Sequence, residues 1–426
     1  MTAAAQGTAG DGRGAAPVRS AARAARPLPS SRLAEFGTTI FAEMSALAVR
    51  TGAVNLGQGF PDTDGPEAVR EAAVRALRDG RGNQYPPGPG VPELREAVAA
   101  HRAHWYGHLG AAMTYDPDTE VLITAGATEA ITAALLGLLE PGDEVIALEP
   151  YYDSYAAAVS MAGGVRVPVT LRPDDGTGPG PRTYRLDLDE LRAAVTDRTR
   201  LILLNSPHNP TGTVLSRAEL AAVAELCVER DLLAVTDEVY EHLVYEGAHL
   251  PLASFPGMRE RTVSISSAGK TFSFTGWKVG WVLAPPDLVG AVRSAKQYLT
   301  YVSAGPFQYA VAEALRLPDD YFTGLCADLR AKRDLLSQGL SEAGFGVFRS
   351  AGTYFVTTDI RPLGESSGVD FCLGLPERCG VVAVPTQVFY DHEAAGAPYV
   401  RFAFCKRREV LADAAERLKG ALAGGR

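Results

Sequence analysis

Between residues 121 and 265, short runs of β-branched and aliphatic residues alternate with helical stretches, and this alternation decides the class of fold. Residues 121–123 read as a strand, TAGATEA (124–130) as a small-residue turn, and 131–139 as an apolar helix stopped by Pro141 and Gly142. Residues 145–148, 201–204, 232–235 and 262–265 repeat the strand pattern, and a helix is predicted over 218–229. Strand and helix in turn predict an α/β fold, a mostly parallel sheet covered on both faces. Ligands bind beyond the carboxyl ends of such strands. Conspicuous residues stand there: Asn205 opens NSPHNPTG, Asp237 opens DEVYE, and Lys270 lies in SSAGKTFSFTGWKVGW (266–281).

The flanking regions differ. Residues 1–31 are rich in Ala, Gly, Arg and Pro and poor in large apolar residues, which predicts a disordered tail. They lack the apolar stretch of a signal peptide and the amphipathic period of a transit peptide. NLGQGFPD (55–62) is a loop whose Gly57 and Gly59 suit unusual backbone angles, a close approach to something bound, or a plain turn. A helix is predicted from Pro66 to near Gly80, followed by the irregular loop GNQYPPGPG (82–90), which carries Tyr85. Beyond residue 299 come helices over 309–317 and 328–343 and strands near 354–357, 381–384 and 399–404, read as a second domain.

A chain of 426 residues can build a large domain with a smaller partner and bury a deep site. Its net charge of −9 with 21% charged residues argues against a nucleic-acid partner. The five cysteines are odd in number and contain no C-x-x-C pair, which argues against a disulfide framework or a zinc site and points to a reducing cytoplasm. No apolar run approaches the roughly 20 residues of a membrane-spanning helix.

Lys270 follows an apolar strand and is flanked by small residues, the setting of a nucleophilic Schiff-base lysine. Burial and a second cation, for which Lys278 is placed, lower a lysine pKa towards neutrality. A Schiff-base lysine, an aspartate and a small-residue nest at a helix start are the parts that pyridoxal phosphate requires. TAGATEA would offer backbone N–H groups to a phosphate, with Ser267 and Lys278 adding a hydroxyl and a cation. Asp237 would keep the pyridine nitrogen protonated, Asn209 and Tyr240 would donate to the ring oxygen, and Tyr152 would stack on the ring. Arg401 offers a planar fork for an α-carboxylate.

Together NLGQGFPD, NQYPPGPG, TAGATEA, EPYYDSY, SPHNPTG, TDEVYE, SSAGKTFSFTGWKVGW and VRFAFCK are similar to the motifs of the class I/II, fold-type I pyridoxal-phosphate aminotransferases. The resemblance runs from about residue 32 to the end. It implies a large domain with a mainly parallel seven-stranded sheet (65–300), a small α+β domain (301–426) joined by the segment 32–64, and a homodimer. It implies that Lys270, with Asp237 and Tyr240, is catalytic and moves the proton at the substrate Cα. Ala127, Thr128, Ser267 and Lys278 would hold the phosphate, reached by Tyr85 from the partner subunit. Gly59, Asn209 and Arg401 would face the substrate carboxylate, and Phe41, Tyr155 and Tyr354 the side chain.

Lys278 stands where many relatives have arginine, which favours the subgroup of kynurenine, glutamine and methionine aminotransferases. Within it GTTIFAEMSALA (37–48), KQYLTYVSAGPFQ (296–308) and RPLG (361–364) resemble actinobacterial N-succinyldiaminopimelate aminotransferases. The expected partners are thus an amino acid and a 2-oxo acid, with glutamate and 2-oxoglutarate as one pair. The rival readings are C–S β-elimination on cysteine conjugates and a pyridoxal-phosphate-binding transcription regulator; for the latter the 31-residue tail is too short to hold a helix-turn-helix domain.

Overall fold

The computed structural model describes residues 28–174 and 181–422; the expected tail, residues 1–31, lies outside them as far as residue 27. One sheet has seven strands: β1 (Val121–Thr124), β2 (Glu144–Glu149), β3 (Val165–Thr170), β4 (Thr199–Asn205), β5 (Leu233–Asp237), β6 (Thr262–Ser267) and β7 (Gly280–Leu283). Their order is β1-β7-β6-β5-β4-β2-β3. Every pairing is parallel except the two made by β7. Sequence reading omits β3 and β7. The first, VRVPVT, carries a proline that an edge strand tolerates; the second is a short GWVL run that begins within the end of the Lys270 stretch.

The strands read as continuous apolar runs because helices cover both faces. Val145, Ala147, Leu201, Leu203 and Val235 share a core with Leu135 of helix Gly126–Leu138, while Ile146, Leu148, Ile202, Leu204 and Ala234 share one with Leu220 of helix Arg217–Glu229. Helix Arg217–Glu229 opens on a capping box between Ser216 and Glu219. Helix Gly126–Leu138 starts earlier than its apolar pattern predicts, because the small-residue turn forms its first turn.

A second, antiparallel sheet runs in the order Gly346–Val347, Phe355–Asp359, Tyr399–Ala403, Val384–Pro385. Beside it Val54–Asn55 pairs in parallel with Val381–Val382, and Met44, Leu56, Leu340, Val356, Val382 and Phe402 share one core. Helix Gly305–Ala314, in the stretch expected to form the second domain, packs on helices Glu67–Arg78 and Pro92–Tyr106. Among the described residues no helix is long and apolar enough to cross a membrane.

Candidate active site

The carboxyl ends of β1, β4, β5 and β6 open on one cavity of about 430 Å³, closed on its far side by Phe355 and Arg401 of the second sheet and by Phe41 and Gly59 from the N-terminal segment. Lys270 sits in the short helix Ala268–Thr271 directly after β6. Its Nζ lies 6.0 Å from the Tyr240 ring centroid and 5.7 Å from that of Tyr354. Burial pulls the amine below the usual lysine range; Cys405 and Asp237 oppose the shift, and Arg401 and Lys278 reinforce it. The cation expected at Lys278 is therefore joined by a second.

Asp237 ends β5 and is buried. Its Oδ2 accepts the Tyr155 hydroxyl at 2.6 Å and its Oδ1 the Val239 N–H at 3.3 Å. Burial raises its pKa, while those two hydrogen bonds and Lys270 oppose the rise. Asn205, on the neighbouring strand, donates from Nδ2 to the Asp237 carbonyl at 2.8 Å and accepts the Asn209 N–H at 2.7 Å. The conspicuous Asn205 thus fastens the Asn209 loop to β5.

Arg401 is 1% exposed. Its Nη1 donates to Asn209 Oδ1 at 2.8 Å and its Nη2 to the Gly57 carbonyl at 3.0 Å, and its Nε has no partner. The guanidinium lies 4.0 Å from the Phe355 ring centroid and 5.2 Å from those of Phe41 and Phe389. Burial draws its pKa down to about 10, against the pull of Tyr240, Tyr354 and Asp153. Among the described residues no carboxylate forms an ion pair with it, so this buried charge is left to pair with an incoming anion.

At the opposite end, Ala127 and Thr128 at the start of helix Gly126–Leu138 line the cavity together with Ser267 and Lys278. Gly126 has φ +77°, and a Cβ there would lie 3.3 Å from Lys278 Nζ. A Cβ on Gly280 would come within 2.7 Å of the Gly126 carbonyl carbon. The helix start is thus open to a close ligand and carries N–H groups without intrahelical acceptors beside an ammonium, a cradle that fits a phosphate dianion. Tyr152 and Phe41 line the cavity with ring centroids 6.5 Å apart. Burial pushes the Tyr152 hydroxyl up to about 12. A buried acid, a buried amine and this cradle around one cavity fit pyridoxal phosphate.

Two residues expected at this chain's cavity do not line it, and Tyr85, expected at the partner's, lies away from it. Tyr155, expected at the substrate side chain, lies buried beneath Asp237, on which its hydroxyl is spent. Tyr354, also expected there, donates its hydroxyl to the Gly59 carbonyl and stands edge-on to Tyr240 at 5.3 Å; its neighbour Phe355 forms the wall instead. Tyr85 is 79% exposed and packs edge-on against Tyr301 at 5.4 Å, outside this chain's own cavity. Neither Gly57 nor Gly59 adopts a positive φ. A Cβ on Gly59 would lie 2.4 Å from Phe355 Cζ, so this glycine makes room for a ring rather than for a turn.

Sequence reading missed Gln58, Asp153 and Phe355, which also line the cavity. Gln58 was signalled by its place inside NLGQGFPD; its Nε2 donates to the Phe41 carbonyl at 2.8 Å. Elsewhere Glu238, Glu241 and His249 cluster with metal-like spacing. Arg102 pairs with both carboxylates of that cluster, its Nη1 2.7 Å from Glu238 Oε2 and 3.3 Å from Glu241 Oε2.

Comparison with known proteins agrees with this geometry. The family model described as aminotransferase class I and II matches residues 51–418. A probable N-succinyldiaminopimelate aminotransferase of Mycobacterium tuberculosis is 55% identical over 397 residues, 91% of this chain and 97% of that protein. The methionine aminotransferase of Escherichia coli is 39% identical, over 92% of this chain and 98% of its own length. The solved structure of the M. tuberculosis N-succinyldiaminopimelate aminotransferase superposes with a TM-score of 0.87, over 92% of this chain and 99% of that one.

Proposed function

Since the chain belongs to the class I and II aminotransferases, pyridoxal-phosphate enzymes of fold type I, we propose that it moves an amino group between N-succinyl-diaminopimelate and a 2-oxo acid, with glutamate and 2-oxoglutarate as the other pair. The observation that carries the reaction is Arg401, a buried guanidinium with no acidic partner among the described residues, on the wall of the cavity that holds Lys270 and Asp237. The substrate rests on 55% identity, over 91% of the chain, to the M. tuberculosis protein so described.

Bound there, pyridoxal 5′-phosphate supplies an aldehyde that condenses with amines and a ring that draws electrons from the attached carbon. The residues do the rest. Arg401 binds the substrate α-carboxylate through its planar fork, and Asn209 holds that fork in place. Lys270, its amine shifted towards the neutral form by burial, takes a proton from the Cα of the amino donor in one half-reaction and gives one to the Cα of the 2-oxo acid in the other. Asp237 would pair with the ring nitrogen, Asn209 and Tyr240 would donate to the ring oxygen, and Tyr152 would cover one ring face. Ala127, Thr128, Ser267 and Lys278 would hold the phosphate, and Gly59 would lie beside the carboxylate.

A second substrate reading has its own support. The cations lining the cavity among the described residues are Lys270, Lys278 and Arg401, each with a role above, while Phe41, Tyr152 and Phe355 make the walls aromatic. That favours an uncharged side chain, as in methionine, glutamine or kynurenine, with β-elimination on cysteine conjugates as a side activity. A panel of these donors and N-succinyl-diaminopimelate, compared by kcat/KM, separates the readings. A tenfold preference for methionine or kynurenine overturns the first, and pyruvate release exceeding transamination marks a β-lyase.

The working unit we propose is a homodimer in which Tyr85 crosses to the partner's phosphate. It is supported by the exposure of Tyr85 and Tyr298, at 79% and 86%. The proposed division is a large domain over 65–300 and a small one over 301–426 joined by 32–64. The proposed setting is the cytoplasm, in keeping with five free cysteines.

A further inference from the structure

Tyr155 is buried, 3% exposed, and its hydroxyl makes one hydrogen bond, to Asp237 Oδ2 at 2.6 Å. An ionised carboxylate can only accept, so the tyrosine donates, and the short distance is that of a bond to a charged oxygen. The groups facing Asp237 are Tyr155 from helix Asp153–Ala162 and Tyr152 at its cap, the Val239 N–H, Glu238 and Tyr240 from its own loop, and Lys270 from the segment after β6. Tyr155, Val239 and Lys270 favour its anion; Glu238 opposes. The ring of Tyr155 stands edge-on to Tyr152 at 5.9 Å and 85°. Tyr152 is the extended cap residue of this helix and Tyr155 lies in its first turn, so one helix start sets both a ring that lines the cavity and the hydroxyl that grips the acid.

We propose that Tyr155 is a positioning residue for the reaction: by donating its hydroxyl to one Asp237 oxygen, it keeps the proton shared between Asp237 and the cofactor's ring nitrogen on the nitrogen. This rests on the reading that Asp237 faces that nitrogen. A proton shared by two basic atoms resides on the more basic one, and a hydroxyl donated to a carboxylate lowers the basicity of the carboxylate. The ring then stays cationic and electron-withdrawing while Lys270 moves the substrate proton. The same bond fixes the carboxylate's rotation, since Val239 holds the other oxygen.

The test compares Tyr155→Phe, which keeps the ring and removes the hydroxyl, with Tyr151→Phe, which loses a neighbouring hydroxyl that makes no hydrogen bond to Asp237. Each is loaded with pyridoxal phosphate and titrated by absorbance against pH without substrate, then assayed for kcat and KM. Tyr155→Phe should shift the titration midpoint away from that of wild type and lower kcat about tenfold to a hundredfold, the usual effect of losing a hydrogen bond to a charged group. KM should stay within about threefold, because the hydroxyl does not reach the substrate. Tyr151→Phe should overlay wild type. Tyr155→His, which keeps a ring with an N–H donor, should recover part of the lost kcat. A Tyr155→Phe protein that overlays wild type, or that raises KM at constant kcat, overturns the proposal, as does a histidine variant no better than phenylalanine. Asp237→Asn separates the two levels: if it too leaves titration and kcat unchanged, the placement of Asp237 against the nitrogen fails; if only Tyr155→Phe is silent, the proposal alone fails.

Discussion

Arg401 and Asn209, 192 positions apart in the chain, are joined by a 2.8 Å hydrogen bond from guanidinium Nη1 to amide Oδ1. The bond ties the second sheet to the loop after β4 and leaves the Asn209 NH₂ for another acceptor. It also keeps a buried cation hydrogen-bonded without neutralising it. Arg401→Lys keeps the charge but loses the fork, and should lower kcat/KM for amino donors about a hundredfold, chiefly through KM. Asn209→Ala should cost about tenfold. Steady-state kinetics with one amino donor checks both.

Lys270→Ala removes both the amine and the proton carrier. The variant should lose the absorbance of covalently held cofactor and fall in kcat by at least about a thousandfold. Borohydride reduction followed by peptide mass mapping should label Lys270 in wild type and no residue in the variant.

Gly59→Ala would place a Cβ 2.4 Å from Phe355 Cζ and 3.0 Å from Tyr354. Phe355 flanks the Arg401 guanidinium at 4.0 Å, so moving that ring moves the wall of the carboxylate site. Overpacking of this kind costs about 1–3 kcal/mol. The variant should unfold at lower urea and show a raised KM, with cofactor absorbance retained because the phosphate cradle lies at the other end of the cavity.

Arg102 holds Glu238 and Glu241 in a buried cluster on the far side of the Asp237 loop. Burial alone would raise the Glu238 pKa, but Arg102 and His249 outweigh it and hold it well below the usual carboxylate range; Glu241 is also lowered. A depressed acid contributes stability that is complete above its unfolded value and is lost as pH falls through the folded one. Arg102→Met should therefore destabilise the fold by about 3–5 kcal/mol near neutral pH. The gap from wild type should narrow as pH drops below 4.5, the ordinary glutamate value. Urea melts across that range measure it.

What could be read from the chain follows from how many reasons a residue has for its place. A lysine, an aspartate or an asparagine at the end of an apolar strand has few, so Lys270, Asp237 and Asn205 stood out, and all three line the cavity. Tyrosine carries an apolar ring and a polar tip, and sequence does not say which end faces the site. Tyr155 and Tyr354 turned theirs to Asp237 and to the Gly59 carbonyl. Phe355 carried no signal, because a phenylalanine in a strand reads the same on a cavity wall as in a core. Gly59 suggested backbone freedom, but the ring it makes room for lies nearly 300 residues further along the chain, beyond the reach of a local pattern.

The parallel pairing of Val54–Asn55 with Val381–Val382, together with the Ala403 N–H donated to the Leu56 carbonyl and Arg401 Nη2 donated to that of Gly57, has a temporal consequence. A ribosome delivers the loop that borders the carboxylate pocket more than 300 residues before the strand that completes it. Until Tyr399–Ala403 emerges, the nascent chain has the large sheet's strands in hand but no means of gripping a substrate. Competence in this enzyme is conferred only when the two distant stretches meet.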